Sequence, residues 1–338
     1  MNTKNIVALG LIGIFTLSSC SDDDSNDMMQ ENASANLYAT SHANGNVTRY
    51  NLTTNSVTTF NTSASDSEGI YYDPESDSFT IATRGMTQTS LQTYVGISDM
   101  ITATINLSVD FSSQAILQNP RDLAVSGDFY VVADSQNANA GRFFVFEKSN
   151  GSMTLSRTIT TDFSVWGIEF VGNDLYAVVD NTNELAVFTN FLSSNPANAT
   201  VSASKRIAIE GIVRTHGIAF DGGTLIMSDI AAASGTGADT DGGFHVITNF
   251  LSKFNATANG GTLAVGQQIR YAGSATLMGN PVNVEYDAES DTVYVAELAN
   301  GGGRVLAFGN VSTAGGGNAS PALNNSLAGV SSLYFYKG

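Results

Sequence analysis

The chain holds three His and a single Trp, so side chains fit for proton transfer, metal ligation or ring stacking are few and their placement matters. His216 is the best suited to chemistry, because an imidazole can ligate a metal or move a proton near neutral pH. It directly precedes the apolar phrase Gly217-Ile218-Ala219-Phe220-Asp221, and Trp166 holds the same place before Gly167-Ile168-Glu169-Phe170. Glu68, Arg121, Val282 and Ser331 stand in the equivalent place before Gly69, Asp122, Asn283 and Ser332. Trp166 reads either as a stacking platform for a sugar or peptide or as packing against a neighbouring unit. His42 and His245 fall in or beside strand and turn segments, and no His-x-x-x-His or His-Glu-x-x-His spacing occurs.

A second set of acids ends the strand that follows each phrase: Asp134, Asp180, Asp229 and Glu297. An Asp behind a small residue at a strand end commonly fixes the following turn through the backbone, a role that competes with ligand contact. After Asp229 comes the longest insertion, Ile230 to Gly243, which ends Asp239-Thr240-Asp241-Gly242-Gly243. Alternate oxygens followed by glycine match part of a calcium loop, although the late bidentate Glu of such loops is missing. Asp239 and Asp241 are therefore metal candidates, with calcium as the divalent ion their oxygens would suit, and His216 is a further candidate through its imidazole. The glycine runs at Gly301 to Gly303 and Gly315 to Gly317 lack the Lys and helix of a phosphate loop.

These residues need a framework, and the pattern supplies one. From Asn36 onward, runs rich in Val, Ile, Thr, Tyr and Phe alternate with Gly, Asn, Asp and Ser, without a long helical period. The phrase begins at residues 69, 122, 167, 217 and 283, at intervals of 53, 45, 50 and 66 residues, close to a four-stranded propeller blade with generous loops. Duplication is also legible in Phe188-Thr189-Asn190-Phe191-Leu192-Ser193, which returns as Ile247-Thr248-Asn249-Phe250-Leu251-Ser252. A sixth onset at Ser332-Leu333-Tyr334-Phe335-Tyr336 has no room for partner strands after it. Those partners are predicted at the other end of the chain, at Asn36 to Thr40, Val47 to Tyr50 and Val57 to Phe60. The expectation is one all-β domain over 36–338, a six-bladed β-propeller whose last blade is shared between the termini so that no apolar edge stays open.

The formal net charge of −17 at pH 7 argues against nucleic acid, which demands a basic face. One Cys excludes a disulfide framework and a thiolate zinc site. Residues 1–19 carry Lys4 and an apolar run from Ile6 to Leu17, too short to span a bilayer comfortably, and read as a signal peptide. Residues 20–35 carry Asp22-Asp23-Asp24 directly behind Cys20-Ser21 and read as an acidic tether that cannot bury a core. Leu17-Ser18-Ser19-Cys20 resembles the lipobox of bacterial lipoproteins. That resemblance implies acylation of Cys20 and a lipid anchor in the outer membrane, and the acidic run behind it resembles a surface-export signal.

The repeated phrase resembles the units of NHL, lactonase-like and related six-bladed propellers. The resemblance implies that the residue before each inner strand and the acid ending the second strand share one face, which gathers Glu68, Arg121, Trp166, His216 and Asp229 as binding residues. Ser67-Glu68-Gly69-Ile70 is similar to the Glu-Gly-Pro opening of gluconolactonase-type propellers, which implies that Glu68 helps hold a divalent metal. Where that family places Asn and Asp in later blades, this chain has Trp166 and His216. The reading that follows is a surface-anchored, non-catalytic binding module for an extracellular glycan, peptide or partner protein. A metal-dependent lactonase-like hydrolase and a scaffold in an envelope complex are the alternatives.

Overall fold

The computed structural model describes residues 34–85, 89–137, 140–232 and 239–338. Cys20, the Asp22-Asp23-Asp24 run and the centre of the Ile230 to Gly243 segment lie outside the described residues. Six sheets form six blades, each opening on one inner strand: Asp66–Asp73, Pro120–Ser126, Val165–Val171, Ile218–Asp221, Pro281–Asp287 and Val330–Lys337. The last of these pairs antiparallel with Ala35–Ser41, with Leu37 opposite Phe335 and Tyr38 opposite Tyr334, and Val47–Asn51 and Ser56–Asn61 complete that sheet. The ring is therefore closed by the two ends of the chain, as the onset at Ser332 implies.

Strands of this chain read as continuous apolar runs because both of their faces are buried. In the second blade Tyr130, Val132, Phe144 and Phe146 pack toward the first blade, while Val131, Ala133, Phe143 and Val145 pack toward the third. Period-2 alternation thus sends successive side chains to opposite neighbours. Each large apolar group buried this way stabilises by about 1.5–3 kcal/mol.

Two local features differ from, or add to, the four-stranded expectation. Three blades gain a fifth strand, since Thr104–Asn106, Ala199–Val201 and Thr262–Leu263 run parallel to Ser56–Asn61, Ser152–Thr161 and Lys205–Ile209. These short segments cover outer edges that would otherwise offer unpaired backbone groups. The internal echo has a structural meaning as well: Asn190 and Asn249 both turn left-handed, at φ 49° and 50°, into the short helices Phe191–Ser194 and Phe250–Ala256. Asn tolerates that conformation better than most residues. Phe191 and Phe250 are then fully buried, their N–H groups donating to the Asn173 and Gly223 carbonyls at 2.9 Å.

The onset residue of each phrase is where consecutive inner strands touch. Gly69 lies against Leu123, and a Cβ there would come within 2.9 Å of the Leu123 Cβ. The Ile168 N–H donates to Asp122 Oδ2 at 2.9 Å, and the Gly167 N–H donates to the His216 carbonyl at 3.0 Å. Gly217 packs on Asn283, whose Oδ1 accepts from the Leu333 N–H at 3.0 Å. Ser332 Oγ accepts from the Gly69 N–H at 2.8 Å and closes the circle. Every junction is made, and glycine stands where the approach leaves no room for a side chain.

Gly167 is the tightest of these positions, because a Cβ would lie 2.3 Å from the His216 carbonyl oxygen. Gly167→Ala is expected to lower the unfolding free energy by about 1–3 kcal/mol through overpacking. Gly266 has nothing within 4 Å of a Cβ, so Gly266→Ala is the matched control and should leave the denaturant midpoint unchanged. Equal midpoints for the two variants would contradict the junction.

Candidate functional site

Of the six residues that precede the onsets, three from consecutive blades make a continuous stack at the mouth of the channel. The guanidinium carbon of Arg121 lies 3.9 Å from the Trp166 ring centroid. The Trp166 and His216 rings are 3.5 Å apart and 5° from parallel. Because these residues come from consecutive blades, the indole lies between guanidinium and imidazole. Both faces of Trp166 are taken, so of its two readings this geometry matches packing between blades.

His216 is almost wholly buried and neither ring nitrogen has a hydrogen-bond partner among the described residues. Its Nε2 is 3.5 Å from Asp180 Oδ1, too long for a good hydrogen bond. Burial pulls the imidazole down to about 4 against the attraction of Asp180, so it is neutral at pH 7. Burial alone would raise Asp180, but the contacts from His216 and Arg214 overcome it and hold the carboxyl at about 2. With His216 neutral, Arg214 supplies that charge at pH 7: its Nη2 donates to Asp180 Oδ1 at 2.8 Å.

Glu68, in the first blade, belongs to a separate network. Arg84 Nη1 donates to Glu68 Oε2 at 2.6 Å and also faces His42 Nε2 at 3.3 Å. His42 Nδ1 in turn meets Asp66 Oδ1 at 2.6 Å. Glu68 is 1 % exposed; burial raises its carboxyl, opposed by Arg84, His42 and Arg121. Sequence reasoning passed over Arg84, Asp66 and the pairing of His42. The available signal was Arg84 itself, which follows Thr83 where most other blades end their second strand in an acid.

The acids that end the second strands are mostly spent on backbone. Asp134 accepts from the Gln118 and Asn119 N–H groups at 2.8 and 2.9 Å and also binds Arg142. Asp229 Oδ1 accepts from Val213, Arg214 and Ala231. Glu297 accepts from Gly279, Asn280, Ala299 and Asn300. They fix the loop entering their own inner strand as well as the following turn, so Asp229 positions the Arg214 backbone. On the far side of the mouth Val282 is buried among apolar residues, and Ser331 is bonded to Thr40 and to the Ser67 carbonyl.

The donor set does not fit a divalent ion at this mouth. Arg84 sits on Glu68 where a metal would have to bind, and His216 is stacked and enclosed. Asp239 offers its carbonyl to Asn300 Nδ2 at 2.8 Å, and Asp241 Oδ1 is buried with no partner among the described residues. Among the described residues no group of three or more His, Cys, Asp or Glu side chains is arranged to hold a metal ion.

Below the mouth the inner strands enclose a cavity of 330 Å³ lined by Asp122, Glu169, Asp221 and Glu285 with Tyr71 and Tyr334. Burial pushes Glu169 up to about 8, and repulsion from Asp122 and Asp221 adds to it. Asp122 rises to about 7 by burial, against its bonds from Ile168 and Leu123, and Glu285 lies well above the ordinary range for the same first reason.

The sign of the pH effect follows. A carboxyl raised in the folded state carries no penalty below its unfolded pKa, and stability is lost as pH rises toward the folded value. For Glu169 the window runs from the ordinary 4.5 to about 8. Glu169→Gln should therefore raise the melting midpoint more at pH 9 than at pH 4. An equal change at both would contradict the raised carboxyl.

No protein-family profile matches the chain, and no curated protein sequence does. Solved structures do match. A chain of the nidogen/laminin complex aligns at TM-score 0.58 and 12% identity, covering 89% of this chain and 98% of that one. A protein of Bacteroides uniformis, provisionally assigned as a 6-phosphogluconolactonase, aligns at 0.61 and 10%, covering 90% and 100%. The periplasmic gluconolactonase of Pseudomonas aeruginosa aligns at 0.55 and 14%, covering 89% and 99%. At these identities the likeness speaks for the fold alone: the chain is a six-bladed β-propeller whose structural neighbours include lactonase-like and NHL-type propellers.

Proposed function

We propose that this protein is a surface-anchored, non-catalytic binding module whose channel mouth captures an extracellular glycan, peptide or partner protein. One observation carries the reading. Glu68, the acid that a lactonase-type propeller would give to a metal, is held by Arg84, and the mouth beside it is walled by Arg121, Trp166 and His216. Such a wall recognises shape and charge without supplying an activated nucleophile. A neighbour that belongs to a complex of nidogen and laminin lends support to a protein partner. The anchor rests on Cys20 and its lipobox-like context; stable anchoring needs more than one acyl chain, which the lipoprotein modification supplies.

The second reading, a metal-dependent lactone hydrolase, is favoured by the names of two neighbours and requires Glu68 to leave Arg84. Calorimetric titration of the purified mature chain with calcium, zinc and manganese, beside assays of lactone turnover and of binding to glycans and envelope extracts, separates the two. The binding module is expected to hold a saturable ligand without metal, and Trp166→Ala, which removes the support between Arg121 and His216, to weaken that binding with the far-UV spectrum intact. Stoichiometric metal with turnover abolished by Glu68→Gln would overturn it. Cys20→Ala should release the precursor from the membrane fraction; retention there would contradict the anchor.

A further inference from the structure

The geometry points to a carboxylate subsite on the edge of Arg121. This inference rests on the binding reading and names the ligand chemistry. The mouth and its surroundings hold several arginines, and most already have an acid: Arg84 has Glu68 at 2.6 Å, Arg142 has Asp134 at 2.8 Å and Arg214 has Asp180 at 2.8 Å. Arg270 lies 3.5 Å from Asp229. Among the described residues Arg121 has neither an ion pair nor a hydrogen bond, and its Nε is buried without an acceptor.

A guanidinium is charged at any physiological pH, and enclosing one without an acceptor costs free energy. In an acidic chain this pairing could have been made with any of 31 Asp and Glu. Instead the plane of Arg121 is supported from one side by the Trp166 ring, which leaves its N–H edge for an acceptor that the protein does not provide. A planar fork held in this way matches the two oxygens of a carboxylate.

The surroundings select for a single negative charge. Glu68, Asp180 and Asp134 act electrostatically on Arg121 against the single cation Arg84, so a dianion such as phosphate meets more repulsion than a carboxylate does. The same argument disfavours polyanions, because one cation without an acid cannot neutralise a run of charges. Two sources share the chemistry, a sugar acid and the carboxyl end of a short peptide, and the probes distinguish them.

The test is calorimetric titration of the full mature chain with glucuronate, N-acetylglycine, glucose and inorganic phosphate, with Trp166 emission followed in parallel. Glucuronate or N-acetylglycine should saturate and change the Trp166 emission, since the acceptor docks on the group lying against the indole. Arg121→Gln should weaken that binding about tenfold or more at an unchanged melting midpoint, and Arg121→Lys should fall between, keeping charge but losing the fork. If Arg121→Gln does not fold, the emission change on the wild-type protein still decides, because binding elsewhere leaves this sole Trp unaffected. Saturation by a carboxylate with unaltered emission, a preference for phosphate, or silence from every probe would overturn the subsite. Glucose binding that survives Arg121→Gln would also overturn it while leaving the binding module standing.

Discussion

The contact between one inner strand and the next, made at the onset residue of each repeat, is the constraint on which the rest of this propeller depends. Backbone and short polar groups alternate there: the Asp122 carboxyl reaches the Ile168 N–H, the His216 carbonyl receives the Gly167 N–H, and Ser332 receives the Gly69 N–H. Each contact fixes the spacing of two blades. The residue immediately before then falls at the mouth, and its distance from the equivalent residue of the next blade is set as well. A stack 3.5 Å deep between Trp166 and His216 requires that spacing, because the two rings come from different blades.

Charge is distributed around this ring with a clear division. Acids at the ends of second strands hold entering loops by accepting backbone N–H groups, which places fixed negative groups near the mouth without offering them to solvent. Arginines of the same region neutralise several of them. Exposed ion pairs contribute little to stability, but those with one wholly buried partner, such as Asp134 with Arg142 or Glu68 with Arg84, leave a buried charge uncompensated if either member is lost. The channel beneath behaves differently, since among the described residues Glu169 and Glu285 have no arginine partner and their carboxyls are raised by burial and by neighbouring acids.

Much of the architecture was legible in the chain. The repeated onset identified the inner strands, and the isolated sixth onset at Ser332 together with the unmatched strands after Asn36 identified the closure. The equivalent positions of Arg121, Trp166 and His216 were visible in the repeat. What they do there was not, because the stacking of Arg121, Trp166 and His216 depends on contacts across the junctions between neighbouring blades, which no local pattern displays. The same holds for His42, which meets Asp66 from the shared blade, and for Arg84, which departs from the repeat. The parallel fifth strands escaped notice because Thr104–Asn106 and Thr262–Leu263 are too short to carry a period. Glu169 and Glu285 were visible within the repeats, but their facing one another needed the closed ring.

Trp166 is the only indole of the chain, and it sits in the third blade while the closing strand belongs to the sixth. Its fluorescence therefore measures whether closure of the ring maintains the stack at the mouth. Deleting Ser331 to Gly338 removes the closing contacts to Ser67, Gly69 and Asn283 and touches nothing near the indole. The emission of the truncated protein, at a temperature where the full chain is folded, should shift to the red as Arg121 and His216 separate from the ring. An emission maximum unchanged by the deletion would contradict the dependence of the mouth on the closed circle of inner strands.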